Sequence, residues 1–453
     1  MLTREDNETL CRVGRGTPTG NLLRQYWIPA LMSSELPERD GPPVRVRLLG
    51  ENLIAFRVTS GKVGLIQNHC PHRGASLFFG RNEEEGIRCV YHGWKFDCAG
   101  ACVDMPSEPA ESSFKSKVRA TAYPCVERGD VIWTYMGPRQ TPPPLPDIEP
   151  NMMPRGEVVV QKVLRECNWF QGLEGDIDTG HLNFLHLGAA KLEDTKPGSF
   201  DYYLLRDRSA TYEAIDTEFG TSYAAQRPAE GDTSYWRIAH FLFPFYTMIP
   251  TGVLGVQVLV RAWVPVDDDH LMFWSLSVPR SRVGGGGAGS AAALVGANRP
   301  SAAPALFEFL PETTDWLGKF RLTQHKDNDY LIDRKAQQTD SYTGIAGIHQ
   351  QDQAVTESMG PIYDRTQEHL GTSDAMVIRT RRRVIRAAEA LRDTGAIPPG
   401  VDDQSMYRCR SGGVVLPRNA NWLDATRSLR RAFVEHRLDA MGMPMLDPAG
   451  PES

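Results

Sequence analysis

Cys70-Pro71-His72 and Cys89-Val90-Tyr91-His92 place one cysteine and one histidine in each of two half-sites, sixteen residues apart. Thiolates hold iron–sulfur clusters, and imidazoles replacing two thiolates on one iron give a [2Fe–2S] centre of raised reduction potential. Such a centre accepts electrons and passes them on. Gly74 and Gly93 let the backbone turn tightly behind each half-site, and Trp94 and Phe96 could shield one side. A tetrahedral zinc site is the alternative, but Cys2His2 zinc sites usually pair the cysteines in one half-site and the histidines in the other. With four ligands in place, His69, Cys98 and Cys102 read as structural residues. Cys11, Cys125, Cys167 and Cys409 have no partner spacing and read as core or surface thiols.

A second constellation runs from Asn168 through Glu174, Asp176, Asp178 and His181 to His186. Residues five apart on an undistorted helix lie about 140° apart round its axis. For His181 and His186 to share a metal, the helix must bend or end near them, and Gly180 is placed to allow it. A histidine pair alone is a weak signal; downstream of a redox cluster it supplies the acceptor that the cluster needs. Two imidazoles and one carboxylate leave coordination positions open, as in non-haem Fe(II) oxygenases. Asp327, Asp329, Asp333 and Asp352, far downstream, are candidates for the carboxylate.

These residues need a scaffold, and 453 residues suffice for two or three domains. Hydrophobic residues at 41% and charged residues at 23% suit an ordinary folded protein. A net charge of -6 gives no general attraction to nucleic acid. No apolar run is long enough to cross a bilayer, and the polar start lacks a signal-peptide core, so a cytoplasmic location with free thiols is expected. Residues 1–40 have weak helical character. From residue 43, short β-type runs (Val44 to Leu49, Leu53 to Val58, Val63 to Gln67) continue to Val131–Tyr135, and a proline-rich stretch from Pro138 to Pro154 closes this all-β unit. Beyond it, Val158 to Val163, Ala210 to Ile215, Thr247 to Ile249 and Val256 to Val266 read as strands of a larger sheet. Trp169 to Leu187, Ala375 to Asp393 and Trp422 to Met441 read as helical, and Gly284 to Pro304 as a low-complexity surface loop.

Cys70-Pro-His72-Arg73-Gly74 with Cys89-Val-Tyr91-His92-Gly93-Trp94 resembles the signature of the Rieske aromatic-ring oxygenases. From Asn21–Trp27 through the C-terminal helices the chain most resembles their phthalate-dioxygenase-like group. The resemblance implies an α+β protein: a helical lead-in over 1–42 packing on the catalytic domain, an all-β Rieske [2Fe–2S] domain over 43–140, and a catalytic domain over 141–453. In the last, an antiparallel sheet is flanked by helices in a helix-grip, START-like arrangement. His181 and His186 match the family's imidazole ligands to a mononuclear Fe(II). Asp352 is preferred to Asp329 as the carboxylate, because related oxygenases carry it in a similar Asp-x4-Glu context before an arginine-bearing helix.

The resemblance further implies that Asp178, three residues before His181, bridges it to a cluster histidine of a neighbouring subunit in a homotrimer or hexamer of stacked trimers. A carboxylate between two imidazole N–H groups orients both. Glu174 and Asp176 are either partners of the site or solvated helix charges, and Asn168 either approaches the iron or starts a helix. An NADH-dependent flavin/[2Fe–2S] reductase is the expected partner, since no strand here is followed by a G-x-G-x-x-G turn. O2 is the co-substrate. The activity implied is oxygenation of an aromatic substrate, an aromatic carboxylate undergoing ring dihydroxylation, with O-demethylation of a methoxylated aromatic acid as the alternative. A Rieske electron carrier would explain the cluster but not the catalytic half of the chain. Phe184, Phe241, Phe243, Phe245, Tyr246 and Met248 could wall an aromatic pocket, and Arg206, Arg208 and Arg237 are cations near it whose ordinary place would be the surface.

Overall fold

The computed structural model describes residues 1–109, 111–154, 156–188, 190–278 and 307–436; the low-complexity stretch and residues beyond 436 lie outside them. Two short hairpins build the cluster-bearing half. Val44–Leu48 turns into Glu51–Arg57 through Leu49 and Gly50, both left-handed at φ 48° and 78°. That pair of angles is the type I′ turn, whose twist suits paired strands. Arg81–Glu83 turns into Gly86–Arg88 the same way, through Glu84 and Glu85 at φ 44° and 65°. The first hairpin continues into Val63–Gln67 and Ala122–Tyr123, and the second into Lys95–Asp97 and Cys102–Asp104, giving two four-stranded antiparallel sheets.

A third sheet corrects the lead-in boundary. Trp27–Met32 pairs antiparallel with Val131–Tyr135, which also pairs with Cys125–Arg128. The stretch placed before residue 43 therefore supplies a strand to the β unit, through a pairing with residues a hundred positions downstream that local pattern cannot reveal. Helices Arg4–Cys11 and Pro18–Leu23 instead lie against the long helix Ala375–Thr394.

The other half is built on an eight-stranded antiparallel sheet. Its order is Val159–Arg165, Leu271–Ser277, Leu259–Pro265, Tyr246–Met248, Thr233–Leu242, Gly220–Pro228 and Thr211–Asp216, with Gly412–Pro417 also paired to Thr233–Leu242. Alternation sorts its side chains. Tyr223, Ala225, Ala239 and Phe241 face helices Trp169–Ile177 and Ala375–Thr394, while Ala224, Trp236 and Ile238 pack with Val414, Leu416, Trp422 and Leu429. Both faces of Thr233–Leu242 are thus buried, so it reads as a continuous run rather than the alternation of a half-exposed strand. The predicted C-terminal helix from Trp422 stops at Ala425. Backbone bonds from Arg410 N to Arg430 O (2.8 Å) and Ala432 N to Arg408 O (3.2 Å) pull the following turns back along the chain.

Helix Trp169–Ile177 is fixed at both ends and on two sides. Asn168 caps it, its side chain accepting from Phe170 N and donating to Cys11 O and Asp268 O. Glu174 is buried between Arg365 (2.9 Å) and Arg381 (2.5 Å), and Arg381 also pairs with Glu368. Burial alone would raise the Glu174 carboxyl, but the two guanidiniums outweigh it and hold it below its ordinary value. Removing one partner from a buried ion network strands the others, at a cost of about 3–5 kcal/mol. Glu174→Ala should lose stability on that scale in urea or thermal unfolding; wild-type stability would show that the network does not hold the helix.

Candidate functional site

Two loops of equal length face each other at the tip of the β half. In each, the cysteine N–H donates to a carbonyl five residues on, Cys70 to Ala75 O and Cys89 to Trp94 O, both at 2.8 Å. In each, a left-handed glycine closes back on the cysteine, Gly74 N to Cys70 O and Gly93 N to Cys89 O, both at 2.9 Å. The histidine sits two residues after the cysteine in one loop and three after it in the other, yet the backbone frames match. A Cβ on Gly93 would meet Pro106 Cγ at 2.6 Å, so this glycine is required for room as well as for its angles.

Cys70 and Cys89 are buried side by side. The His72 and His92 rings lie 4.4 Å apart, with Trp94 stacked on His72 at 4.2 Å. Both Nδ1 atoms are buried without a hydrogen-bond partner. Two buried, unpartnered ring nitrogens and two buried thiols are the donor types that a [2Fe–2S] cluster with mixed thiolate–imidazole ligation takes. His69 Nδ1 bonds to Gly74 O at 2.9 Å, supporting one loop, and Cys102 Sγ donates to Asp104 O.

In the other half, helix Trp169–Ile177 ends before the histidines. Asp178 is extended at the C-cap, and a single 3-10 turn carries His181–Asn183. Gly180 adopts ordinary helical angles, so the expected bend is a clean helix end three residues earlier, and Asp178 reaches His181 through this turn rather than along a shared helical face. Asp178 Oδ1 accepts from Gly180 N at 2.6 Å, and Oδ2 lies 3.2 Å from His181 Nδ1.

Asp352 arrives on helix Ile348–Ser358. Its Oδ1 lies 3.2 Å from His186 Nε2 and 3.6 Å from His181 Nε2. The donor atoms of His181, His186 and Asp352 all lie within 4.8 Å of one another, close enough to share a single metal ion. Separations of 3 to 4 Å suit neighbouring ligands on one ion with bonds of about 2.1 Å. Burial works against the Asp352 charge, yet His186, His181 and nearby Arg165 hold its carboxyl well below the usual range. Burial likewise opposes protonation of His181, and Asp178 and Asp352 overcome it, raising this imidazole.

Asp327 and Asp329 are exposed, and Asp333 caps Arg334–Thr339 by accepting from Lys335 N and Ala336 N, so none of them joins the histidines. Glu174 belongs to the ion network. Asp176 is paired with Arg261 and accepts from Thr247 and Trp263, tying the helix to the sheet. Phe243, Phe245, Tyr246 and Met248 are core residues: Tyr246 packs on Tyr407, the Phe243 carbonyl accepts from Tyr407 Oη at 2.8 Å, and Met248 Sδ lies 3.7 Å from Cys409 Sγ. Phe184 differs, being half exposed, edge-on to Tyr342 and 5.3 Å beneath the Arg208 guanidinium. Arg237 is buried over the Phe200 ring at 4.4 Å instead of lying at the surface, and Arg206 pairs with Glu230.

Sequence reasoning missed Gln351, whose Oε1 lies 2.7 Å from His186 Nδ1. Its position next to a candidate ligand was the available signal. It also missed Arg165, buried against His349 and over the Trp263 ring.

Residues 26–123 match the Rieske [2Fe-2S] domain family, and residues 134–283 and 308–441 match the family described as LigXa C-terminal domain like. The 3-chlorobenzoate-3,4-dioxygenase oxygenase subunit of Comamonas testosteroni is 46% identical over 428 residues, covering 93% of this chain and 97% of its own. The phthalate 4,5-dioxygenase oxygenase subunit of Pseudomonas putida is 35% identical, covering 94% of each chain. The 5,5'-dehydrodivanillate O-demethylase oxygenase subunit of a Sphingobium species is 32% identical, covering 90% of this chain and 84% of its own. Among solved structures, dicamba monooxygenase bound to dicamba has the same fold, with a TM-score of 0.52 at 17% identity over 82% of this chain and 99% of that one. No helix among the described residues is long and apolar enough to cross a membrane. Similarity that runs the length of both domains extends the reading beyond the cluster loops: the chain belongs to the Rieske non-haem iron aromatic-ring oxygenases, as an oxygenase component of the phthalate-dioxygenase-like group.

Proposed function

We propose that Cys70, His72, Cys89 and His92 hold the [2Fe–2S] cluster and that His181, His186 and Asp352 hold a mononuclear Fe(II). The supporting observation is the convergence of these three donors from two separate helical segments. Bound iron supplies the reductive activation of O2. The protein's own part is placement: Asp352 adds a negative charge where the imidazoles meet, and Asp178 orients His181 from behind. Asp178 keeps 27% of its side chain exposed, leaving an edge from which to reach a cluster histidine of a neighbouring subunit. A homotrimer or stacked pair of trimers follows from that bridge, with helices Arg4–Cys11 and Pro18–Leu23 joining residues 141–453 in the catalytic unit and an NADH-dependent flavin/[2Fe–2S] reductase supplying electrons.

The substrate is an aromatic carboxylate. Phe184, between the two histidines in sequence, together with Tyr342 presents exposed aromatic surface to its ring, and Arg208 over Phe184 offers a guanidinium to its carboxylate. Ring dihydroxylation is the main reading. O-demethylation is the second, favoured by the relative that is an O-demethylase subunit.

Asp352→Ala should contain two irons per chain instead of three, with the cluster's visible absorbance intact and O2 uptake lost; full iron content and turnover would remove Asp352 from the set. Asp178→Ala should keep all three irons but lose electron transfer between the centres, so normal cluster oxidation in a single turnover would contradict the bridge. Oxygen uptake with a surrogate reductase across benzoates, phthalates and methoxybenzoates separates the two chemistries. A diol carrying both oxygens from O2 is expected, and formaldehyde release would select demethylation.

A further inference from the structure

His186 is gripped at both ring nitrogens by consecutive residues of one helix. Asp352 Oδ1 lies 3.2 Å from Nε2, and Gln351 Oε1 lies 2.7 Å from Nδ1. The Gln351 amide has no freedom to turn over, because its Nε2 donates to Ile345 O at 2.9 Å and only an NH2 group can do so. Its carbonyl oxygen must therefore face His186. An oxygen that only accepts demands a proton on Nδ1, which leaves the Nε2 lone pair directed toward Asp352 and His181. Gln351 is 1% exposed, so water does not compete for this bond.

The two histidines consequently have unlike supports. A carboxylate, Asp178, stands behind His181, and a neutral amide stands behind His186. A charged acceptor pulls harder on the shared proton and makes the opposite nitrogen a stronger donor than a neutral acceptor does. We infer that Gln351 is a positioning residue that locks His186 in the Nδ1–H form and keeps it the weaker of the two imidazole donors to the metal. The inference rests on the reading of His181, His186 and Asp352 as the iron ligands and adds an inequality between them.

The test uses the full-length holoenzyme, stripped of mononuclear iron with a chelator and retitrated with Fe(II), the visible absorbance of the cluster reporting on the fold. Gln351→Leu removes the acceptor and should weaken Fe(II) binding about 10- to 100-fold with the cluster spectrum unchanged. Gln351→Glu keeps an acceptor facing Nδ1 although it loses the donor to Ile345 O, and it should bind Fe(II) more tightly than Gln351→Leu. It places a second carboxylate behind an imidazole, so the EPR spectrum of its nitric oxide adduct should change. Wild-type affinity in Gln351→Leu, binding as weak in Gln351→Glu as in Gln351→Leu, or an unaltered adduct spectrum in Gln351→Glu would each overturn the inference. A wild-type protein that takes up no mononuclear iron would instead count against the ligand set itself.

Discussion

Bringing His181, His186 and Asp352 to within a few ångströms of one another is the demand that organises the catalytic half. The histidines follow one short helix and the aspartate lies on another more than 160 residues later, so neither segment can drift. Acidic residues spaced by two supply the anchorage. Glu174 and Asp176 point about 200° apart round a helix of 3.6 residues per turn, and they are used on opposite sides. Glu174 turns to Arg365 and Arg381 beside the long helix, while Asp176 turns to Arg261, Thr247 and Trp263 on the sheet. Asp178, past the helix end, is left free to serve His181. Three charges that composition would assign to a solvated surface are thereby divided between the outer helix, the sheet and the metal site.

Arg165 adds a further restraint. It is buried beside His349, three residues ahead of Asp352, and it supports the aspartate charge at a distance. A buried guanidinium next to an imidazole is costly to desolvate unless a carboxylate stands nearby, and Asp352 provides one. The same charge that would bind a metal also helps to balance the interior.

What the chain disclosed before folding was what is local. The cluster half-sites are contained in short loops, so their residue types and spacing were sufficient, and the histidine pair lies within six residues. The choice of Asp352 rested on the family's context, since four aspartates were available and only folding puts Asp333 on a helix cap and Asp352 beside the histidines. Gln351 was not legible, because an amide gains its meaning from the ring it happens to face. Phe243, Phe245, Tyr246 and Met248 show a related limit: they are buried as their aromatic density suggests, but that density does not say whether a buried face lines a cavity or fills a core. Strands such as Thr233–Leu242 escaped because a sheet covered on both sides loses its alternation.

The pairing of Trp27–Met32 with Val131–Tyr135 has a structural corollary. The chain goes into the cluster-bearing unit and comes out of it through two strands zipped together, Trp27 opposite Tyr135 and Met32 opposite Val131. The segment from the first hairpin to the last cluster loop is closed off by that seam and is tied a second time to the catalytic half at its first turn, where Leu49 N and Gly50 N donate to Pro265 O and Val266 O. A graft of a foreign cluster unit into this chain would need to match both the ribbon of backbone hydrogen bonds at the seam and the turn that docks on Pro265 and Val266.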